Sequence, residues 1–107
     1  MTKRMRSELV LAAVIALAGS VGFAQAAGEA VYKANCQSCH GSTGTPNPGI
    51  AKSMGVKPAN DPEYKKATDD QMIAAVKDGK GKMKPYSGKL TDTQIKDAVS
   101  YFRSLGK

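Results

Sequence analysis

Asn35-Cys36-Gln37-Ser38-Cys39-His40 is the stretch on which the reading of this chain turns. It holds both cysteines and the single histidine of a 107-residue sequence. In a helical turn, positions i, i+3 and i+4 share a face, so Cys36, Cys39 and His40 leave the backbone on one side. Two thiols so placed suit addition to two vinyl groups along one edge of a porphyrin, and the adjoining imidazole suits its iron. The pattern implies attachment of c-type haem. Other uses of the residues fit less well. A thioredoxin-like dithiol belongs to alternating strands and helices, and the sequence carries no strand pattern. A Cys36–Cys39 disulfide would close a very short loop and constrain little of the unfolded chain. Zinc asks for four ligands, and the cysteines and histidine of this chain make three.

A haem iron with one histidine needs a second ligand or keeps an open site. With no second histidine, a methionine thioether is the leading candidate. Met72 falls in the periodic set Met72, Ile73 and Val76, which assigns it to packing. Met54 lies in the flexible segment Ala51-Lys52-Ser53-Met54-Gly55 and stands in reserve. Met83 sits in Gly79-Lys80-Gly81-Lys82-Met83-Lys84-Pro85-Tyr86, a polar loop that glycine lets bend and proline stiffens, where packing gives a methionine little reason to be. The expected iron ligands are His40 and Met83.

Upstream of the motif, Lys3, Arg4 and Arg6 precede the apolar run Leu9 to Ala18, and Ala24-Gln25-Ala26 offers a small-x-small cleavage site. Residues 1–26 read as a secretory signal, leaving residues 27–107 as one domain. The apolar run is short for a membrane span, so no stable membrane insertion is expected after cleavage. A domain of this size with 6% aromatics and no tryptophan buries a modest core, and a large cofactor is the expected supplement.

Downstream, the pattern is helical. Gly28 to Asn35 reads as one or two turns, and Pro62 to Ala67 as another. Thr68-Asp69-Asp70-Gln71 and Thr91-Asp92-Thr93-Gln94 both match the capping box. They open helices from about Asp69 to Asp78, ending at Gly79 as a left-handed cap, and from about Asp92 to Leu105, ending at Gly106. Ile95, Ala98, Val99, Phe102 and Leu105 form the apolar side of the second. From His40 to Asp61 the chain is rich in Gly, Pro, Ser, Thr and Asn and reads as connecting loop.

Taken together, residues 27–107 resemble a small bacterial class I monohaem cytochrome c. Gly28, Tyr32 and Cys36 are spaced like that family's glycine, aromatic and first cysteine. Val99-Ser100-Tyr101-Phe102-Arg103-Ser104-Leu105 resembles the C-terminal helix that crosses there, with glycine permitting a close approach. Met83-Lys84-Pro85-Tyr86 followed by Gly88-Lys89-Leu90-Thr91 resembles the loop bearing the methionine ligand. The resemblance implies an all-α bundle of three to four short helices around one haem c bound covalently through Cys36 and Cys39. It further implies that Pro48, in Pro48-Gly49-Ile50, accepts the axial imidazole's Nδ–H through its carbonyl, with Pro46 as the alternative, and that Ile50 belongs to the cofactor site. Tyr86 is expected to cover the haem edge or to donate to a propionate. Tyr32, Tyr101, Phe102 and Tyr64 are assigned to packing.

The formal charge of +7 comes from 16 Lys and Arg against 9 Asp and Glu. The lysines are dispersed with no basic run of five, which argues against nucleic acid. Lys80, Lys82, Lys84 and Lys89 cluster around Met83 and are expected to steer acidic redox partners. The functional expectation is an exported, periplasmic, monomeric carrier passing single electrons. The rivals are a haem enzyme or gas sensor with an open axial site, and a haem subunit of a larger dehydrogenase. Peroxide cleavage profits from a distal histidine with arginine nearby, and only Arg103 remains once His40 is committed.

Overall fold

The computed structural model describes residue 23 and residues 25–107, so the expected signal segment falls almost wholly outside the described residues. Among the described residues six helical pieces follow one another: α1 (25–35), α2 (Gln37–His40), α3 (Pro48–Met54), α4 (Pro62–Lys66), α5 (Asp69–Asp78) and α6 (Asp92–Leu105). Among the described residues the only β pairing is two isolated bridges, Lys80 with Met83 and Ser87 with Leu90. None of their helices is long and apolar enough to cross a membrane.

Both capping boxes form. Gln71 N–H donates to Thr68 Oγ1 at 3.1 Å while Thr68 N–H donates to the Gln71 side chain at 2.9 Å, and Thr91 with Gln94 repeats the same two bonds. Caps of this kind contribute about 1 kcal/mol each, and they start α5 and α6 where the sequence predicts. The stretch expected as loop between His40 and Asp61 instead contains α3. Asn47 caps it by accepting from Gly49 N–H at 2.8 Å, Pro48 occupies its first turn, and Gly55 ends it in the left-handed conformation at φ 69°, ψ 27°. Its start and stop signals are present in the sequence, but the Gly, Pro and Ser around them mask a helix of seven residues. The left-handed cap expected at Gly79 is not made: φ is 80° with ψ 161°, an extended mirror conformation. A side chain there would meet the Met83 carbonyl oxygen at 2.8 Å, so glycine at this place lets the following loop fold back against the end of α5.

The core lies where α1 crosses α6. Tyr32, Phe102 and Ala59 of the connecting segment form the buried cluster there, and Ile95, Ala98 and Val99 are the other buried residues of α6. Tyr32 packs on Tyr101 with ring centroids 5.3 Å apart and on Phe102 at 6.1 Å, and Tyr64 of α4 meets Phe102 edge-on at 5.4 Å. The close crossing depends on Gly28, because a Cβ there would stand 2.4 Å from the Asp97 carbonyl oxygen of α6. Arg103 ties the far end together. Its guanidinium pairs with Asp69 at 3.0 Å, donates to the Tyr64 and Ala67 carbonyls at 3.1 and 3.0 Å, and touches the sulfur of Met72.

Candidate metal centre

Cys36 closes α1 and caps α2, with its own backbone in the right-handed helical region. Its carbonyl accepts from Cys39 N–H at 3.2 Å and from His40 N–H at 2.9 Å, the i+3 and i+4 bonds of a single turn. These two bonds set Cys36, Cys39 and His40 on one face, as the spacing predicts. Both thiols are free and half-buried. Burial, with Cys39 alongside, pushes the Cys36 thiol up to about 11. Burial also lowers the His40 pKa, so the ring is neutral at neutral pH and keeps the lone pair a metal takes. The edge of the imidazole packs against Phe102, centroids 5.1 Å apart, so the core holds the histidine.

His40 Nδ1 is buried and has no hydrogen-bond partner, so the acceptor expected at the Pro48 carbonyl is not engaged by it. Pro48 is exposed at the start of α3, whereas Pro46 is buried and Ile50 half-buried. Tyr32 Oη donates to the Gly41 carbonyl at 2.6 Å, which fixes the chain just past the histidine to the core.

The Met83 loop reaches the same turn from the other end of the sequence. Tyr86 Oη donates to the Asn35 carbonyl, one residue before Cys36, at 3.1 Å. A phenol has one proton, so Tyr86 in this arrangement does not make the expected bond to a propionate; its half-buried ring remains available for packing. Tyr86 N–H and Ser87 N–H donate to the Val76 and Lys77 carbonyls of α5 at 2.9 and 3.1 Å. Of the three methionines weighed as ligand, Met72 is engaged by Arg103 and packs on the core, Met54 is 37% exposed at the end of α3, and Met83 is half-buried in the loop tied to Asn35.

Two features fit a haem here: a neutral buried imidazole and two free thiols on the same turn. The stripe Met72, Ile73 and Val76 of α5 is half-buried, in contrast to the four buried residues of α6. Asn35, Lys82 and Arg103 carry tertiary bonds that the sequence does not announce. Their partners lie 51, 29 and up to 39 residues away, and only folding brings them together.

Comparison with known proteins agrees with this geometry. A family model described as cytochrome C oxidase, cbb3-type, subunit III matches residues 23–102. The chain is similar to the cytochrome c6 of Leptolyngbya boryana, 38% identical over 78 residues that take in 71% of this chain and 86% of that protein. It is also similar to the cytochrome c-555 of Chlorobaculum tepidum, 32% identical with both chains covered in full. Among solved structures, the c-type cytochrome KustC0563 superposes with a TM-score of 0.67 at 29% identity, covering 75% of this chain and 98% of that one.

Proposed function

Because this chain belongs to the cytochrome c family, and is an electron carrier with a covalently bound haem c, we propose that it works in the periplasm with His40 and Met83 as iron ligands. The bound haem supplies an iron that gains or loses one electron without any substrate bond being made or broken. Cys36 and Cys39 would hold it covalently through their sulfurs. His40 offers a neutral ring nitrogen on a ring held by Phe102. Met83 offers a thioether, which raises the potential relative to harder ligands. With His40 and Met83 both given to the iron, the chain would leave oxygen and peroxide no place to bind, which suits a carrier and disfavours the enzyme and sensor readings. Arg103 points the same way, since its guanidinium is occupied by α4, α5 and the segment between them.

The observation that carries the choice of Met83 is the Tyr86–Asn35 bond, which draws the Met83 loop to the residue preceding Cys36. For the imidazole Nδ–H the acceptor is the Pro48 carbonyl, with that of Pro46 as the alternative. A Cβ on Gly41 would lie 3.3 Å from Pro46 N, so the buried Pro46 turn folds back beside His40. Ile50 and the ring of Tyr86 complete the proposed cofactor contacts. The partners are redox proteins, and we assign their acidic surfaces to Lys80, Lys84 and Lys89. The N-terminal segment acts as the export signal, cleaved near Ala26, and the product is a monomer.

Mass measurement of the exported protein with visible spectra of both oxidation states tests cleavage, covalent haem and sulfur ligation together. The expected product begins near Ala27, carries one haem, and binds carbon monoxide slowly or not at all when reduced. Fast, complete carbon monoxide binding would remove Met83 as ligand and restore the open-site reading.

A further inference from the structure

Lys82 Nζ donates to the Ser53 carbonyl at 2.6 Å, joining residues 29 apart in sequence. Ser53 is next to last in α3, where carbonyls lack a donor further along the helix and the helix dipole leaves partial negative charge. An ammonium on a four-carbon stem suits that place, because its bond is charge-assisted and its reach spans the gap. Lys82 sits in a tight turn. Lys80 N–H donates to the Met83 carbonyl at 3.2 Å and Met83 N–H to the Lys80 carbonyl at 3.0 Å, with Gly81 at φ 59°. Those reciprocal bonds close residues 80–83 into a small ring, so a restraint on Lys82 passes directly to Met83. The remaining bonds from the loop to other elements begin at Tyr86. Among the described residues, Lys82 is thus what fastens the first half of the loop to a separate part of the fold.

We propose that Lys82 is a positioning residue for Met83, a strut between the loop and α3 and not one of the charges that steer a partner. The proposal rests on the His40/Met83 reading for the purpose of the strut, though not for its existence. Lys84, with the same charge two residues on, gives the comparison. The test uses the haem-loaded protein and the variants Lys82→Ala and Lys84→Ala. Amide exchange at Lys80 and Met83 is followed by NMR, and imidazole binding to the oxidised protein by visible absorbance. Lys82→Ala is expected to speed exchange and to tighten imidazole binding about three- to tenfold, the range a single net hydrogen bond supports. Lys84→Ala is expected to leave both unchanged. Equal behaviour of the two variants in exchange would overturn the strut. Absence of a sulfur–iron charge-transfer band from the unmodified protein would instead overturn Met83 as ligand, and exchange alone would then decide whether Lys82 braces the loop.

Discussion

The crossing of α1 and α6 and the loop from Gly79 to Leu90 serve one site by different means. The crossing is packed: Tyr32 is 1% exposed, Ile95 is fully buried, and the two helices approach as closely as a glycine allows. The loop has no buried residue at all. It is held by three backbone bonds to α5, from Gly79, Tyr86 and Ser87, and by the side-chain bonds of Tyr86 and Lys82. Burial is cooperative and excludes water, whereas each solvent-accessible hydrogen bond contributes little on its own. The part that carries His40 is therefore built to stay fixed, and the Met83 loop is the part that opens at lower cost.

The sharpest way to break this contrast is Gly28→Val. With a Cβ only 2.4 Å from the Asp97 carbonyl oxygen, the helices must separate, and a loss of more than about 3 kcal/mol is expected. Denaturant unfolding of the haem-loaded protein, followed by helical circular dichroism, measures it. An unchanged midpoint would mean that the crossing does not limit stability.

The same substitution made in both regions sharpens the comparison further. Tyr32→Phe removes the shorter of two bonds to the Gly41 carbonyl, which keeps Gly44 N–H at 3.3 Å, and should cost about 1–1.5 kcal/mol. It should also change the alkaline behaviour. Burial pushes the Tyr32 phenol from 10.0 up to about 12, so above the ordinary value the unfolded chain releases this proton while the folded chain keeps it. Stability from this group is whole below pH 10.0 and is lost as pH rises through about 12. Unfolding midpoints taken across that interval should fall more steeply for the unmodified protein than for Tyr32→Phe; parallel curves would remove Tyr32 as the cause.

Tyr86→Phe is expected to have the smallest effect on stability, under about 1 kcal/mol, because Tyr86 is only half-buried whereas Tyr32 is 1% exposed. Its consequence should appear at the metal, as faster amide exchange in the loop and easier displacement of sulfur by imidazole. A stability loss matching that of Tyr32→Phe, with no change in ligand exchange, would show that the two regions are not distinct.

Much of this was legible in the residues. Thr68 with Gln71 and Thr91 with Gln94 satisfy each other across a single turn, so local sequence suffices to start α5 and α6. The motif turn is equally local, closed by bonds from Cys39 and His40 to Cys36. The stripe Ile95, Ala98, Val99 and Phe102 is buried as its period predicts. Reading failed where several weak signals overlapped. Asn47, Pro48 and Gly55 mark the ends of α3, but a helix so short makes little impression within a Gly- and Pro-rich stretch. The conformation of Gly79 was also out of reach, because the returning loop sets it and not the end of α5 alone.

By itself, then, the sequence determined two thiols and an imidazole on one turn and the caps that start α5 and α6, all encoded by residues within about one turn of each other. Only the tertiary structure decided how the methionine loop is held. Tyr86 finds Asn35, Lys82 finds Ser53 and Arg103 finds Tyr64 and Ala67 across 29 to 51 residues. Such pairings carry no periodicity or spacing that a linear reading detects. They exist because packing of α1 against α6 fixes where the other segments must run, and a donor and an acceptor meet only once those paths are set.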